Sequence, residues 1–282
     1  MELVDSSGGV RVALWELGGS GRPLLVAHAT GFCAHVLAPL ASDLASRGSL
    51  RCVAPDVRGH GSSVTPPDAD LDWRRVAEDL LACVDHLGLD DVDAFGHSMG
   101  GAALLLAELA RPGTFHSLWC YEPVVSPVGA PREGVDRLIG ATRRRRTTFA
   151  SIDDAIANFS GKPPLGGFTP EALRGYLTGG FRELADGSVE LRCRPDDEAR
   201  LYEAGQHHGA FERLGEIGCV VSVGYGRTTD PGPAMLAPEV VERLPRGRGV
   251  PFPHLGHFGP MEAPAEISAA VAEHLVRVGE AR

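Results

Sequence analysis

Gly96-His97-Ser98-Met99-Gly100 fits the pattern G-x-S-x-G, and its flanks matter more than its letters. Ahead of it runs Asp91-Val92-Asp93-Ala94-Phe95, short and apolar enough for a buried strand. Behind it, residues 101–110 are rich in good helix formers. Ser98 therefore falls where a strand turns sharply into a helix. Such a turn strains the backbone, lifts a hydroxyl above the sheet edge and sets it beside a helix N-terminus. Glycines two positions to either side let strand and helix approach closely, because no side chain stands between them. The competing account of the same letters is a Gly-rich βα turn with a capping serine.

Working outward, residues 2–5 and 10–17 read as strands joined by the hairpin signal Ser6-Ser7-Gly8-Gly9. Leu24-Leu25-Val26-Ala27 is a continuous apolar run, as expected of a strand covered on both faces. A helix over 35–47, a strand at 51–55 and a helix at 73–86 precede the strand at 92–95. Leu118-Trp119-Cys120-Tyr121 is the next strand. Strands alternating with helices at this spacing predict an α/β fold, a mostly parallel central sheet flanked by helices. After Glu122-Pro123 the alternation stops. From 126 to 216 the chain is polar and helix-leaning, with Ser188–Cys193 the one brief strand candidate. This stretch reads as a mainly helical lid inserted after the sixth strand, within a core made of 1–125 and 217–282. Alternation resumes at 219–224 and runs through a helix near 236–244, a strand near 248–252 and a last helix at 263–278.

Composition narrows the function classes. The net charge of −10 opposes a general nucleic-acid surface, which needs positive potential. The six cysteines form no C-x-x-C pair and no Cys/His spacing suited to zinc, so no metal is expected. No dinucleotide fingerprint or P-loop occurs, so no cofactor is implied. The first residues lack a basic leader and no run is long enough to cross a bilayer. A cytoplasmic protein without a membrane partner is the expectation. Basic charge is carried almost wholly by arginine, with Lys162 the sole lysine, as in bacterial proteins from GC-rich genomes.

A serine hydroxyl is a weak nucleophile at neutral pH and needs a base. His257, in Gly256-His257-Phe258, lies between the last strand and the last helix, where a loop folds back over the strand ends. His254 is its rival. The base in turn needs a carboxylate to fix its tautomer. Asp230 follows the strand at 219–224 and gives the order Ser98, Asp230, His257 expected of this architecture. Glu122, at the end of the preceding strand, is the alternative acid. Two donors are also needed for a developing oxyanion. The backbone N–H of Met99 is one, and Thr30, in the loop after strand 24–27, is favoured over Phe32 for the other. Phe32, Phe258 and Tyr121 are candidate pocket walls.

His28-Ala29-Thr30-Gly31, Asp56-Val57-Arg58-Gly59-His60-Gly61-Ser62-Ser63, the elbow at 96–100, and Gly256-His257-Phe258 with Glu262-Ala263-Pro264 together resemble the α/β-hydrolase superfamily. The resemblance covers about 1–125 and 217–282, with the insertion where that family carries its lid. It implies a Ser98, Asp230, His257 triad and a mainly structural role for Asp56–Ser63. Serine as nucleophile separates the chain from the branches of the superfamily that attack with aspartate. The reading that follows is a serine hydrolase of an ester, thioester, lactone or similar small acyl substrate. The same triad used for acyl transfer, carbon–carbon cleavage, perhydrolysis or a lyase reaction is the alternative, and a non-catalytic ligand-binding module is a minor one. In the insertion, Arg143-Arg144-Arg145-Arg146 reads either as an anion clamp or as a solvated helix face. Four consecutive helical residues point in different directions, so not all meet one ligand. His207 and His208 diverge by about 100° on a helix and make no shared metal site.

Overall fold

The apolar runs on either side of the elbow become the middle of one sheet. The computed structural model describes residues 1–131, 133–228 and 232–280. Its first half runs β1 (Glu2–Asp5), β2 (Arg11–Gly19), β3 (Arg22–Ala27), α1 (Ala38–Arg47), β4 (Leu50–Asp56), α2 (Trp73–His86), β5 (Val92–His97), α3 (Met99–Ala110) and β6 (Phe115–Tyr121). Between β6 and the next core strand lie α4 (Glu133–Arg143), β7 (Thr148–Phe149), α5 (Ile152–Ser160), α6 (Pro170–Gly180), β8 (Phe181–Glu183), β9 (Val189–Leu191) and α7 (Pro195–Ala204). The chain then returns through β10 (Val220–Tyr225), α8 (Pro233–Arg243), β11 (Gly247–Pro251), the short α9 (Gly259–Glu262) and α10 (Pro264–Gly279).

The main sheet has the strand order β1-β2-β4-β3-β5-β6-β10-β11. β1 and β2 pair antiparallel and β2 meets β4 antiparallel, while the strands from β4 to β11 are parallel. Every residue of β5 is buried, which explains its lack of polar alternation. One core lies under α2, α3 and α8, around Trp73, Leu80, Leu104 and Val240. The other lies under α1 and α10, around Leu40, Leu44 and Val271, and continues into Phe149, Phe168 and Tyr176 of the inserted segment. All six cysteines are buried and free, Cys52 and Cys120 as wholly enclosed core residues.

From β3 the chain steps to one side of the sheet, to β4, and β5 then starts on the other side of β3 and leads outward to β6. The crevice at such a reversal, at the carboxyl ends of the strands, is where open α/β sheets bind ligands. Both the elbow after β5 and the loop after β3 open there.

The inserted segment is less purely helical than its composition suggests. β7, β9 and β8 form a small antiparallel sheet beside the helices. The expected strand at 188–193 is its middle member, and its partners are too short for a period-two pattern to register. The segment is tied down by Trp73 Nε1, which donates to Leu201 O at 2.9 Å, and by His208 Nε2, which donates to Val124 O at 3.0 Å while its ring stacks on Trp73. His208 is thus a buried tether.

Candidate active site

Ser98 sits at φ 56°, ψ −114°, a strained conformation for a residue with a side chain. The surroundings hold it there. The Ser98 N–H donates to Tyr121 O at 2.9 Å, and Ser98 O accepts from Ala102 and Val124. The flanking glycines are required by proximity. A Cβ at Gly96 would lie 2.6 Å from Gly101 N, and one at Gly100 would lie 2.4 Å from Ala27 O. Helix α3 therefore starts directly against β3 and β5, with the serine at its mouth.

His257 Nε2 lies 3.1 Å from Ser98 Oγ, placed to accept the hydroxyl proton. His257 Nδ1 donates to Glu122 Oε2 at 2.6 Å. The second oxygen of that carboxylate, Oε1, accepts the Gly226 N–H at 2.8 Å. Glu122 is buried at the end of β6, and its backbone at φ 42° turns the side chain toward the histidine. The structure thus brings together Ser98, His257 and the carboxylate that the sequence ranks second. Asp230 lies outside the described residues. His254, the rival base, is exposed and pairs with Glu266 at 2.9 Å, away from the serine.

The loop carrying the imidazole is braced from below. Tyr121, a candidate pocket wall in the sequence, is instead fully buried, and its hydroxyl donates to Gly256 O at 2.8 Å. His97 is also fully buried, and its Nε2 donates to the His257 carbonyl at 2.8 Å. Burial, with the neighbouring His257, holds the His97 imidazole well below its ordinary pKa, so it is neutral and serves as a donor through one nitrogen.

The loop after β3 is fixed by the Asp56–Ser63 turn. Asp56 Oδ1 accepts the Ala34 N–H at 2.7 Å, and Oδ2 accepts Ser62 N–H and Trp15 Nε1 at 2.8 and 2.9 Å. His60 Nε2 accepts the Gly31 N–H at 2.9 Å while its Nδ1 donates to Arg58 O. Burial pushes the His60 pKa down to about 3, with His28 adding to the shift. The Phe32 N–H is turned to Ala29 O at 3.2 Å. Of the three amides in Thr30-Gly31-Phe32, that of Thr30 has no acceptor among the described residues. The Met99 N–H opens α3 and belongs to the first turn, whose amides lack acceptors within the helix. Arg58 in the same turn forms a buried, fully engaged pair with Asp79, with Nη2 to Oδ1 at 2.7 Å and Nε to Oδ2 at 2.9 Å. Sequence reading misses Asp79, for a lone aspartate within an amphipathic helix carries no signal of its distant partner.

Over the site, Phe32 meets Tyr176, Phe168 and Phe258 at ring-centroid distances of 5.2, 5.8 and 5.8 Å, and Phe258 meets His257 at 5.1 Å. Phe32 and Phe258 are therefore part of one aromatic box. Of the four arginines, Arg143 pairs with exposed Glu203, Arg144 is exposed, and Arg146 donates to Thr148 O and lies over the Phe149 ring. Arg145 alone turns inward, to Glu198 at 2.9 Å. Glu198 also accepts from Tyr202 and abuts Gly31, where a Cβ would come within 2.4 Å of its Oε1. Among the described residues no group of three or more His, Cys, Asp or Glu side chains is placed to hold a metal ion. No helix among them is long and apolar enough to cross a membrane.

Comparison with known proteins agrees with this architecture. The E-2-(acetamidomethylene)succinate hydrolase structure superposes with a TM-score of 0.82 at 19% identity, over 97% of this chain and 98% of that one. A thermophilic esterase from Thermogutta terrifontis gives 0.72 at 20% identity, over 98% of each chain. Among curated proteins, 2-hydroxymuconate semialdehyde hydrolase of Pseudomonas putida is 31% identical over 209 residues, 70% of this chain and 72% of that one. The mouse protein phosphatase methylesterase 1 is 30% identical over 161 residues, 55% of this chain, and the match spans 41% of that relative's length. The model of the alpha/beta hydrolase family matches residues 24–270, and with the strand order, the elbow and the serine–histidine contact in place, this chain belongs to that family.

Proposed function

We propose that the protein is a serine hydrolase of carboxylic esters or closely related small acyl compounds. The observation that carries this reading is the relay from Ser98 Oγ through His257 to Glu122, at 3.1 and 2.6 Å. Ser98 attacks the acyl carbon while His257 Nε2 takes its proton. The carboxylate of Glu122 stabilises the imidazolium and keeps the Nδ1 proton in place. The oxyanion is held against the N–H groups of Met99 and Thr30, each donor of this kind contributing about 10²–10³ in rate. His257 then protonates the leaving group and activates water, which releases the acid and frees Ser98. Residues 126–216 serve as the lid over this site. The names of the relatives, a methylesterase and a hydrolase, support hydrolysis as the reaction class.

The test is a pair of measurements on wild type and Ser98→Ala: turnover of short chromogenic esters, and covalent labelling by a fluorophosphonate. Wild type turns over and labels, and the variant does neither. Labelling of Ser98→Ala at the wild-type rate overturns the assignment.

A further inference from the structure

Beside the aromatic box the inserted segment holds an apolar pocket of about 210 Å³, open to solvent along Ser160, Gly166, Pro170 and Arg174. Its lining includes Ile156, Leu165, Phe168, Leu173 and Arg174, all from 152–174 and none from the loops around Ser98. One residue belongs to both places. Phe168 lines the pocket, and its ring also packs on Phe32 and Phe258 at 5.8 and 5.7 Å. Phe32 adjoins the Thr30 loop and Phe258 adjoins His257, so this ring is the partition between the acyl site and the pocket.

The partition is fixed. The residue after it, Thr169, donates its N–H to Met261 O at 2.9 Å, and its hydroxyl accepts the Ala172 N–H as the N-cap of α6. Phe168 itself donates its N–H to Leu165 O at 3.1 Å and is 8% exposed. Backbone bonds on both sides hold the main chain that carries the ring.

We propose that Phe168 is the residue that sets the upper limit on acyl-chain length, closing the site to all but short acyl groups and separating it from the apolar pocket in the inserted segment. This rests on the serine-hydrolase reading. An acyl chain extending from Ser98 past Phe32 meets the Phe168 ring. Removing the ring joins the site to a pocket whose walls include Ile156, Leu165 and Leu173, and each further methylene covered there raises kcat/KM by up to about fourfold.

The experiment is a chain-length series of p-nitrophenyl esters, acetate to decanoate, on wild type, Phe168→Leu and Phe168→Ala, with melting temperature and fluorophosphonate labelling measured on each. Wild type favours acetate to butyrate. Phe168→Ala shifts the optimum to hexanoate or beyond, with the octanoate-to-acetate ratio of kcat/KM raised at least tenfold. Phe168→Leu, which keeps more of the packing, shifts it part of the way. Leu165→Trp added to either variant fills the pocket and reverses the shift, which a merely loosened lid would not do. A wild-type optimum at octanoate overturns the proposal. So does an unmoved optimum in the variant that remains folded and labelled, and acetate turnover then leaves the hydrolase reading standing. Absence of both labelling and turnover in wild type overturns that reading and the partition with it.

Discussion

Glu122→Gln tests the hydrogen-bond relay at its most sensitive point. The carboxylate accepts two hydrogen bonds, one from Gly226 N–H at 2.8 Å and one from His257 Nδ1 at 2.6 Å. Glutamine offers one acceptor and one donor to these two donors. The Gly226 amide is backbone and cannot change its role. The imidazole can, by moving its proton. The oxygen of the substituted side chain therefore stays on Gly226, its NH₂ faces Nδ1, and the proton moves to Nε2. That atom must be the acceptor for Ser98 Oγ, 3.1 Å away. The equivalent loss of tautomer in a serine protease lowers kcat by about 10⁴, or about 5 kcal/mol at 1.36 kcal/mol per decade. KM should change little, because Glu122 is buried beneath the histidine and does not face the substrate. The assay is kcat on a short chromogenic ester at neutral pH, with Asp230→Asn measured in parallel and expected within tenfold of wild type. Glu122→Gln retaining more than a tenth of wild-type kcat would refute the argument, as would a thousandfold loss in Asp230→Asn.

Gly31→Ala places a methyl 2.4 Å from Glu198 Oε1 on a backbone at φ +80°, a region that costs a non-glycine residue about 1–3 kcal/mol. The loop must shift, Thr30 with it, and kcat falls by about 10²–10³, the worth of one oxyanion donor; an unchanged kcat with an unchanged melting temperature contradicts the Thr30 assignment. Stability should fall on mild acidification, because burial holds His60 at about 3 and His274 at about 4. Both lie below the roughly 6.5 of an unfolded histidine, so the unfolded chain binds more protons. The stabilisation is complete above about pH 6.5 and is lost as pH falls toward 4 and then 3, at up to about 5 and 3 kcal/mol for the two groups. A melting temperature that does not fall between pH 7 and pH 4.5 is the contrary result.

The strand–turn–helix elbow at Ser98 is legible in the sequence because its requirements are local. A strand, a helix and two glycines within ten residues must coincide, and each leaves its own mark. The placement of His257 near Ser98, and of Thr30 in the loop after β3, likewise follows from where strands end. Distant pairings leave no such mark. The tie of His60 to Gly31 spans 29 residues and that of Tyr121 to Gly256 spans 135. A histidine in a turn and a tyrosine in a strand look the same whether or not they brace a loop. Tyr121 resembles a pocket wall in the sequence for that reason, when its whole ring is in the core. The arginine run shows the intermediate case. The sequence reads all four as helical, but α4 ends at Arg143, and beyond the helix packing turns Arg145 inward, toward Glu198.

The carboxylate that meets His257 shows how topology acts at such a site. β6 and β10 are adjacent and parallel, with Gly224 opposite Tyr121. The ends of both strands therefore open at the same sheet edge, beside the Ser98 strand and within reach of one histidine loop. A carboxylate following either strand satisfies the chemistry, so the order serine, acid, histidine is kept by Glu122 as well as by Asp230. Glu122 reaches the histidine through its backbone conformation. At φ 42° directly after the strand, with its N–H on Gly224 O, it turns the side chain across the strand ends rather than along them. The Gly226 amide then holds one carboxylate oxygen and presents the other to His257. A short, rigid connection of this kind fixes the histidine tautomer with few degrees of freedom, which is what preorganisation of a base requires.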